Sequence, residues 1–166
     1  GVNIILTLLL ILVVINVPIV LFVESKVAWC ISGGLSLAAM WLVANFFRSP
    51  LRNFKGEREG IVVSSVDGKV VALEEVEETT VLHKRVIQLS VFMSVFNVHA
   101  NWYPVDGDVE SVRYQPGRFR AAYLPKSSSE NEHSSVVIRT PGGTRILVCQ
   151  IAGAIARRIV TYSHPG

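Results

Sequence analysis

The sequence predicts a membrane-anchored α+β protein, in which an apolar helical hairpin precedes a mainly β domain of the sandwich or barrel type. Two observations lead to this fold class. The chain is 50% hydrophobic, and the apolar excess lies in two long runs before residue 48. Beyond that point, short β-branched and aromatic segments alternate with turn signals such as Asp-Gly and Pro-Gly, a spacing typical of all-β domains. We therefore divide the chain into residues 1–47 and residues 48–166.

The two apolar runs predict a transmembrane helical hairpin. Each run, at residues 2–23 and 27–47, is predominantly apolar and is about as long as the roughly 20 residues that span the hydrocarbon core of a bilayer. Small residues in the second run, from Ser32 to Ser36, let a neighbouring helix approach closely, and the linker between the runs allows only a tight turn. A signal peptide is an alternative, although its apolar region is shorter and has a basic start. A buried helix pair of a globular domain is the other.

Basic residues set the predicted orientation of the hairpin. Four of them follow the second run closely: Arg48, Arg52, Lys55 and Arg58. Positive charge beside a membrane span favours the cytoplasmic side, so we place the hairpin in the cell (inner) membrane and the β domain on its cytoplasmic face. The net charge of +3 comes without a basic stripe interleaved with aromatics. We therefore expect an anionic membrane surface, and no nucleic acid, as a partner.

The β domain is predicted to contain two hairpins. Asp67-Gly68 predicts a tight turn between strands at residues 61–63 and 69–73, with the acidic residues 74–78 at a strand end or turn. Pro141-Gly142-Gly143 predicts the second turn. The remaining expectations are a buried strand at 91–98, strands at 109–114, 136–139 and 145–151, a polar loop at 126–135, and a short helix or strand end at 152–160.

A few residues are candidates for chemistry from their positions alone. His99 follows the most apolar predicted strand and precedes a turn, which suits proton transfer; a polar side chain satisfied by its own loop is the alternative. Asp67 is explained by its turn. Arg157 and Arg158 suit a phosphate or a solvated helix end.

The sequence does not support a metal site. Cys30 lies in an apolar run and Cys149 in a strand-like run, without a CxxC or Cys/His ligand spacing, so we expect neither zinc nor a disulfide. This cysteine pattern fits a reducing compartment. Asp106 and Asp108 flank a glycine but fall far short of a calcium loop. We expect no metal.

Five segments carry a family resemblance when they are taken in order. They are FFRSP at residues 46–50, VSSVDGKV at 63–70, FMSVFNVHANWYPVDG at 92–107, KSSSENE at 126–132 and QIAGAIARRIV at 150–160. Each is moderately specific, and their order makes the match strong. Together they resemble the short, membrane-bound form of the phosphatidylserine decarboxylases over residues 46–166.

The resemblance implies a pyruvoyl-dependent lyase made as a proenzyme. In that family a serine attacks its own preceding carbonyl, the chain breaks, and the serine becomes an N-terminal pyruvoyl group. The group forms a Schiff base with phosphatidylserine and accepts electrons as carbon dioxide leaves, which gives phosphatidylethanolamine. Asp67 matches the aspartate that helps to activate the serine, and His99 is the expected proton donor. Candidates for binding the headgroup phosphate are Lys126, Arg157 and Arg158.

Three departures from the family pattern qualify these expectations. The 166 residues contain no Gly-Ser dipeptide, so we expect the pyruvoyl serine beyond residue 166, on a cleaved C-terminal α-chain. Trp102 stands where longer members carry a second histidine, so His99 is base, donor or both. Ser65-Val66 replaces Pro-Ala before Asp67, which alters turn rigidity. The alternative function is a non-catalytic, membrane-anchored β domain that binds a lipid headgroup or a partner. Homo-oligomerisation stays open.

Overall fold

The computed structural model confirms the α+β class and describes residues 1–121 and 127–166. Among these residues, two long helices precede strands arranged in two antiparallel sheets. The candidate Lys126 lies outside the described residues. The elements in chain order are α1 Val2–Phe22, α2 Lys26–Phe47, β1 Lys69–Glu78, β2 Lys84–Phe92, β3 Asp108–Gln115, α3 Ser127–Glu130, β4 His133–Arg139 and β5 Arg145–Ile151.

The chain divides into two compact units. The hairpin unit contains Gly1–Arg52 together with Met93–Asn101, and the β unit contains Asn53–Phe92 together with Trp102–Gly166. The segment that carries His99 therefore belongs with the helices and not with the sheets. The domain boundary that the sequence predicts, after residue 47, stays a prediction.

The hairpin unit consists mainly of α1 and α2, and the predicted pair of helices is confirmed. The side-chain oxygen of Ser25 accepts a hydrogen bond from the Ala28 backbone at the start of α2, as an N-cap residue does. Neither helix contains a buried residue, so a pair of buried core helices does not describe them. Both are long and apolar enough to cross a membrane, which suggests that the chain associates with one.

Polar side chains join the two helices near the middle of the hairpin. The Asn16 Nδ2 donates to the Ser36 Oγ at 2.8 Å and to the Leu12 carbonyl at 2.7 Å. The Ser32 Oγ donates to the Asn16 Oδ1 at 2.7 Å. Small residues such as Ser32 and Ser36 allow two membrane helices to come into close contact. The three side chains Asn16, Ser32 and Ser36 are called the polar clasp below.

The first sheet of the β unit pairs β1 with β2, which corrects the predicted hairpin around Asp67-Gly68. The residues at 61–63 form no strand, and β1 pairs instead with the strand that follows it, from Lys69 opposite Phe92 to Glu78 opposite Lys84. The acidic residues at 74–78 lie inside β1. They are tolerated there because most are exposed to solvent.

The predicted buried strand at 91–98 is also wrong, because β2 ends at Phe92. The polar residues Ser94 and Asn97 form a turn there: the Asn97 backbone N–H donates to the Ser94 carbonyl at 2.9 Å. In the same turn the Asn97 Oδ1 accepts from the Ser94 N–H at 2.9 Å. Asparagine and serine compete for backbone hydrogen bonds in this way and favour turns over strands.

The carboxylate of Glu78 organises the connection between β1 and β2. It accepts backbone hydrogen bonds from Thr80 and Val81, each at 2.9 Å, and from Leu82. Burial favours the neutral acid, but these bonds and one from the Thr80 hydroxyl outweigh burial and lower the pKa of Glu78 to about 2.

The second sheet has the order β3-β4-β5, so β4 is its central strand. Consecutive residues of β4, Val136, Val137 and Ile138, are buried and form most of the apolar core of the described chain. The predicted hairpin between β4 and β5 is confirmed, with all seven residues of each strand paired. The predicted strand at 109–114 is confirmed as β3. The segment 152–160 is neither helix nor strand.

Candidate functional site

Asp67 lies in a bend just before β1, in the β unit. Backbone hydrogen bonds hold the preceding residues: the Val63 N–H donates to the Pro104 carbonyl, and the Trp102 N–H donates to the Ser65 carbonyl, both at 2.9 Å. The bend is thus held by a distant part of the β unit and not by a strand of its own. Asp67 itself is half-buried and interacts with neighbouring groups.

Gly68 explains why the bend can lie so close to β2. A Cβ atom at this position would lie 2.5 Å from the Phe92 carbonyl oxygen and 2.7 Å from the Val91 Cγ1. Backbone atoms cannot move away cheaply, so any larger residue would push the bend off the end of β2. The glycine therefore fixes Asp67 relative to the first sheet.

His99 lies in the loop of the hairpin unit that follows the turn at 94–97. Its Nδ1 is 3.1 Å from the carbonyl oxygen of Asn97, two residues earlier. A carbonyl oxygen can only accept a hydrogen bond, so in the neutral ring Nδ1 carries the hydrogen. The Nε2 lone pair is then available to take a proton.

The end of helix α2 contacts this histidine. The rings of Phe46 and His99 stack with their centroids 3.9 Å apart and their planes at 20°. Beside this stack, the Asn45 Nδ2 donates to the Phe96 carbonyl at 2.9 Å. Burial lowers the pKa of His99 below its usual value of 6.5, and the Asn97 carbonyl opposes that shift. The ring is therefore neutral at physiological pH.

Arg157 and Arg158 lie together on an irregular loop of the β unit, and both are exposed. Glu132 holds this loop at two points. Its carbonyl accepts from the Ala152 N–H at 2.8 Å, and its Oε1 accepts from the Ile159 N–H at 2.9 Å. The Arg157 Nε donates to the Ala154 carbonyl at 2.9 Å. The two arginines are thus presented to solvent by an anchored loop.

Asn131 and Glu132 form the buried base of that loop, and sequence analysis did not assign them a role. Asn131 is 1% exposed and Glu132 is 6% exposed. Burial and the Glu132 carboxylate raise the pKa of Tyr114, which bonds to that carboxylate, and the charge of Arg158 opposes the shift. The signal that points to this pair is the dense run of hydrogen-bonding side chains between residues 127 and 133.

The structure thus brings some predicted site residues together and assigns others to different units. Arg157 and Arg158 share one loop, whereas Asp67 belongs to the β unit and His99 to the hairpin unit. Phe46 and Asn45, which contact the His99 segment, had no assigned role. Across residues 1–121 and 127–166, no three His, Cys, Asp or Glu side chains are grouped so that they could hold a metal ion.

A neutral histidine with an available lone pair, at the end of an apolar helical hairpin, has the chemistry that a membrane-associated proton-transfer enzyme requires. Comparison with known proteins identifies the reaction class as that of the carboxy-lyases. The family model described as phosphatidylserine decarboxylase matches residues 40–166. The chain belongs to the phosphatidylserine decarboxylase family.

Individual relatives agree with the family model. The chain is 52% identical over 166 residues to the phosphatidylserine decarboxylase proenzyme of Parabacteroides distasonis, covering all of this chain and 76% of that relative. It is 47% identical over 166 residues to the proenzyme of Bacteroides thetaiotaomicron, of which it covers 73%. A match of 44% over 149 residues to the proenzyme of Nitrosomonas europaea covers 87% of this chain and 68% of that relative.

Proposed function

We propose that this chain is the greater part of an enzyme that decarboxylates phosphatidylserine to phosphatidylethanolamine within the membrane that anchors it. Family membership and the surroundings of His99 together support this activity. The single observation that carries the mechanism is the hydrogen bond from His99 Nδ1 to the Asn97 carbonyl. It leaves Nε2 as the proton-transfer atom, and the lowered pKa keeps this atom unprotonated until it receives a proton during the reaction.

A pyruvoyl group, formed from a serine of the proenzyme, is the cofactor that this family implies. When bound, the group supplies an electron sink for the loss of carbon dioxide. The residues present in the chain fit the formation of this group, because the side chain of Asp67 and the lone pair on His99 Nε2 are groups that help to activate a serine hydroxyl. In the proposal, Asp67 assists that activation. In each turnover His99 Nε2 takes one proton from surrounding water and donates it to the carbon that has lost its carboxylate, which is the one proton that decarboxylation consumes. The cleaved α-chain stays as a partner.

The headgroup phosphate is assigned in this proposal to the exposed arginine loop. Arg157 and Arg158 present two guanidinium groups, which recognise phosphate oxygens in a paired geometry. Glu132 holds the loop at both Ala152 and Ile159, so the arginines start from an ordered backbone. Lys126 is a third proposed phosphate contact and lies outside the described residues.

The hairpin places the enzyme on the surface where its substrate lies. We propose that α1 and α2 span the membrane and that the basic residues after α2 keep the β unit on the cytoplasmic face. A lipid substrate and an anchored enzyme then share one surface. This arrangement raises the effective concentration of the headgroup without any additional contact.

The proposal is tested with the full-length proenzyme in vesicles that contain phosphatidylserine. We expect self-cleavage into two chains and formation of phosphatidylethanolamine. We also expect Asp67→Asn to slow self-cleavage by about 100-fold, a typical loss for an acid–base group. The matched control is Asp106→Asn, because Asp106 also precedes a glycine in a bend and is exposed, with an ion pair to Arg58 at 3.4 Å. Cleavage of Asp67→Asn at the wild-type rate would contradict the role of Asp67. A cleaved protein that forms no phosphatidylethanolamine would contradict the proposed activity.

A further inference from the structure

We infer that Phe46, assisted by Asn45, is a positioning residue for His99, so that the end of the membrane helix sets the direction of the proton-transfer atom. The inference rests on the proposed function of His99 and adds two residues to it. All of the contacts that carry it lie within the hairpin unit. No part of it depends on how the two units are arranged.

The first observation is that two contacts together fix the ring of His99. The stack on Phe46, with centroids 3.9 Å apart and planes at 20°, defines the plane in which the imidazole lies. The bond from Nδ1 to the Asn97 carbonyl, at 3.1 Å, defines the rotation of the ring within that plane. With both fixed, the direction of the Nε2 lone pair is determined. Loss of the stack would leave the ring free to tilt about the remaining hydrogen bond.

The second observation is that the neighbouring helical residue holds the backbone of the same loop. Asn45 donates from Nδ2 to the Phe96 carbonyl at 2.9 Å. Phe96 lies within the turn that Ser94 and Asn97 close. Two consecutive residues of α2 therefore contact the loop. Asn45 contacts its backbone, and Phe46 contacts the ring of His99.

The third observation concerns where these residues lie along the helix. Asn45 and Phe46 are in the last turn of α2, which ends at Phe47 and is followed by Arg48. This is the point where the hairpin gives way to the basic segment. A histidine positioned by this turn is thus positioned by the anchor itself. The hairpin would then contribute to the chemical step as well as to retention on the membrane.

The test measures decarboxylation by the full-length enzyme in mixed micelles of detergent and phosphatidylserine, per mole of cleaved protein. Phe46→Leu keeps an apolar side chain but removes the stack, and we expect kcat to fall about 10-fold with KM unchanged, because catalysis is sensitive to small errors in placement. Phe46→Tyr keeps an aromatic ring and should restore kcat to within about twofold. Asn45→Ala should lower kcat less than Phe46→Leu does.

The matched control is Phe22→Leu, the same substitution at the end of α1, where the side chain is 81% exposed. It should leave kcat and KM unchanged. An unchanged kcat in Phe46→Leu, a rise in KM alone, or equal losses in Phe46→Leu and Phe46→Tyr would each overturn the inference.

His99→Gln separates the inference from the proposed function. If His99→Gln is inactive while Phe46→Leu keeps full kcat, the positioning role fails and the proposed function stands. If His99→Gln retains full activity, the proposed role of His99 fails and the positioning role fails with it. An upfield ring-current shift of the His99 protons in wild-type NMR spectra, lost in Phe46→Leu, is expected if the stack forms in solution. Its absence from the wild-type spectra would overturn the inference directly.

Discussion

Two segments of the chain share the pattern Asn-x-His and the same local geometry. In Asn97-Val98-His99 the histidine Nδ1 lies 3.1 Å from the asparagine carbonyl, and in Asn131-Glu132-His133 the distance is 2.9 Å. The middle residue is buried in both, with Val98 0% and Glu132 6% exposed. The asparagine side chain accepts a backbone N–H in each. Local sequence therefore sets the same tautomer of histidine twice.

The surroundings of the two histidines differ. His133 begins the central strand β4 and is paired with Gln115 on one side and Ile151 on the other. His99 belongs to no strand and stacks on a helix end through Phe46. In both segments the local hydrogen bond sets the tautomer of the ring. The surrounding elements, a sheet for His133 and a helix end for His99, determine what else the ring contacts. Binding and catalytic residues lie disproportionately on loops, so this difference in position favours His99 over His133 for a chemical role.

The largest expected effect separates the two histidines by activity. We expect His99→Gln to lower phosphatidylethanolamine formation by about 100-fold or more, since it removes the proposed proton-transfer group. His133→Gln should change the rate by less than about threefold, because substitutions away from the reacting atoms leave the chemical step intact. Radiolabelled phosphatidylserine in vesicles provides the assay. Similar losses of activity in both variants would contradict the proposal that His99 transfers a proton and His133 does not.

A smaller effect separates the two asparagines by stability. Asn131 accepts from the Arg120 N–H and donates to the Arg120 and Ala152 carbonyls, at 3.0, 2.8 and 2.7 Å. Asn131→Ala removes this side chain and leaves its buried partners unpaired, so the free energy of unfolding should fall by about 3 kcal/mol. Asn97→Ala removes a single side-chain hydrogen bond and should lower it by about 1 kcal/mol. Thermal unfolding in detergent should show a Tm roughly 5–10 °C lower for Asn131→Ala. Equal Tm values for the two variants would contradict the assignment.

The smallest expected effect concerns protonation of His99. Its pKa is lowered from 6.5 by burial, so the folded chain binds this proton less readily than the unfolded chain does. The resulting contribution to stability is complete above pH 6.5 and is lost as the pH falls through the folded pKa. NMR titration of the His99 ring should give a midpoint below that of an unstructured peptide of the same sequence. A midpoint at or above the peptide value would show that the ring is not desolvated.

Much of the fold follows from local sequence signals. The two helices are predicted because each apolar run is long enough to span a bilayer. The β4–β5 hairpin is predicted because Pro141-Gly142-Gly143 favours a turn between two short strands. The pairing of β1 with β2 was not predicted. An Asp-Gly pair favours a hairpin turn, but Gly68 is instead required by its contact with the Phe92 backbone. That requirement comes from residues distant in the chain, and local patterns do not reveal it.

The candidate site divides in the same way. His99 is a candidate from its place beside a turn, whereas Asp67 is a candidate only because its short motif resembles that of the family. One of the two contacts that fix the ring of His99 comes from α2, since the stack on Phe46 joins residues far apart in sequence. The buried role of Glu132 depends likewise on the later residues Ala152 and Ile159. Contacts of this range are set by tertiary packing.

The polar clasp has a consequence for how the protein enters a bilayer during its synthesis. An asparagine amide exposed to lipid costs free energy, and Asn16 lies within a mostly apolar helix. Its partners Ser32 and Ser36 are on the helix that is synthesised next. We therefore expect α1 and α2 to leave the translocation channel side by side. The amide of Asn16 would then reach lipid already satisfied, before the remainder of the chain has folded.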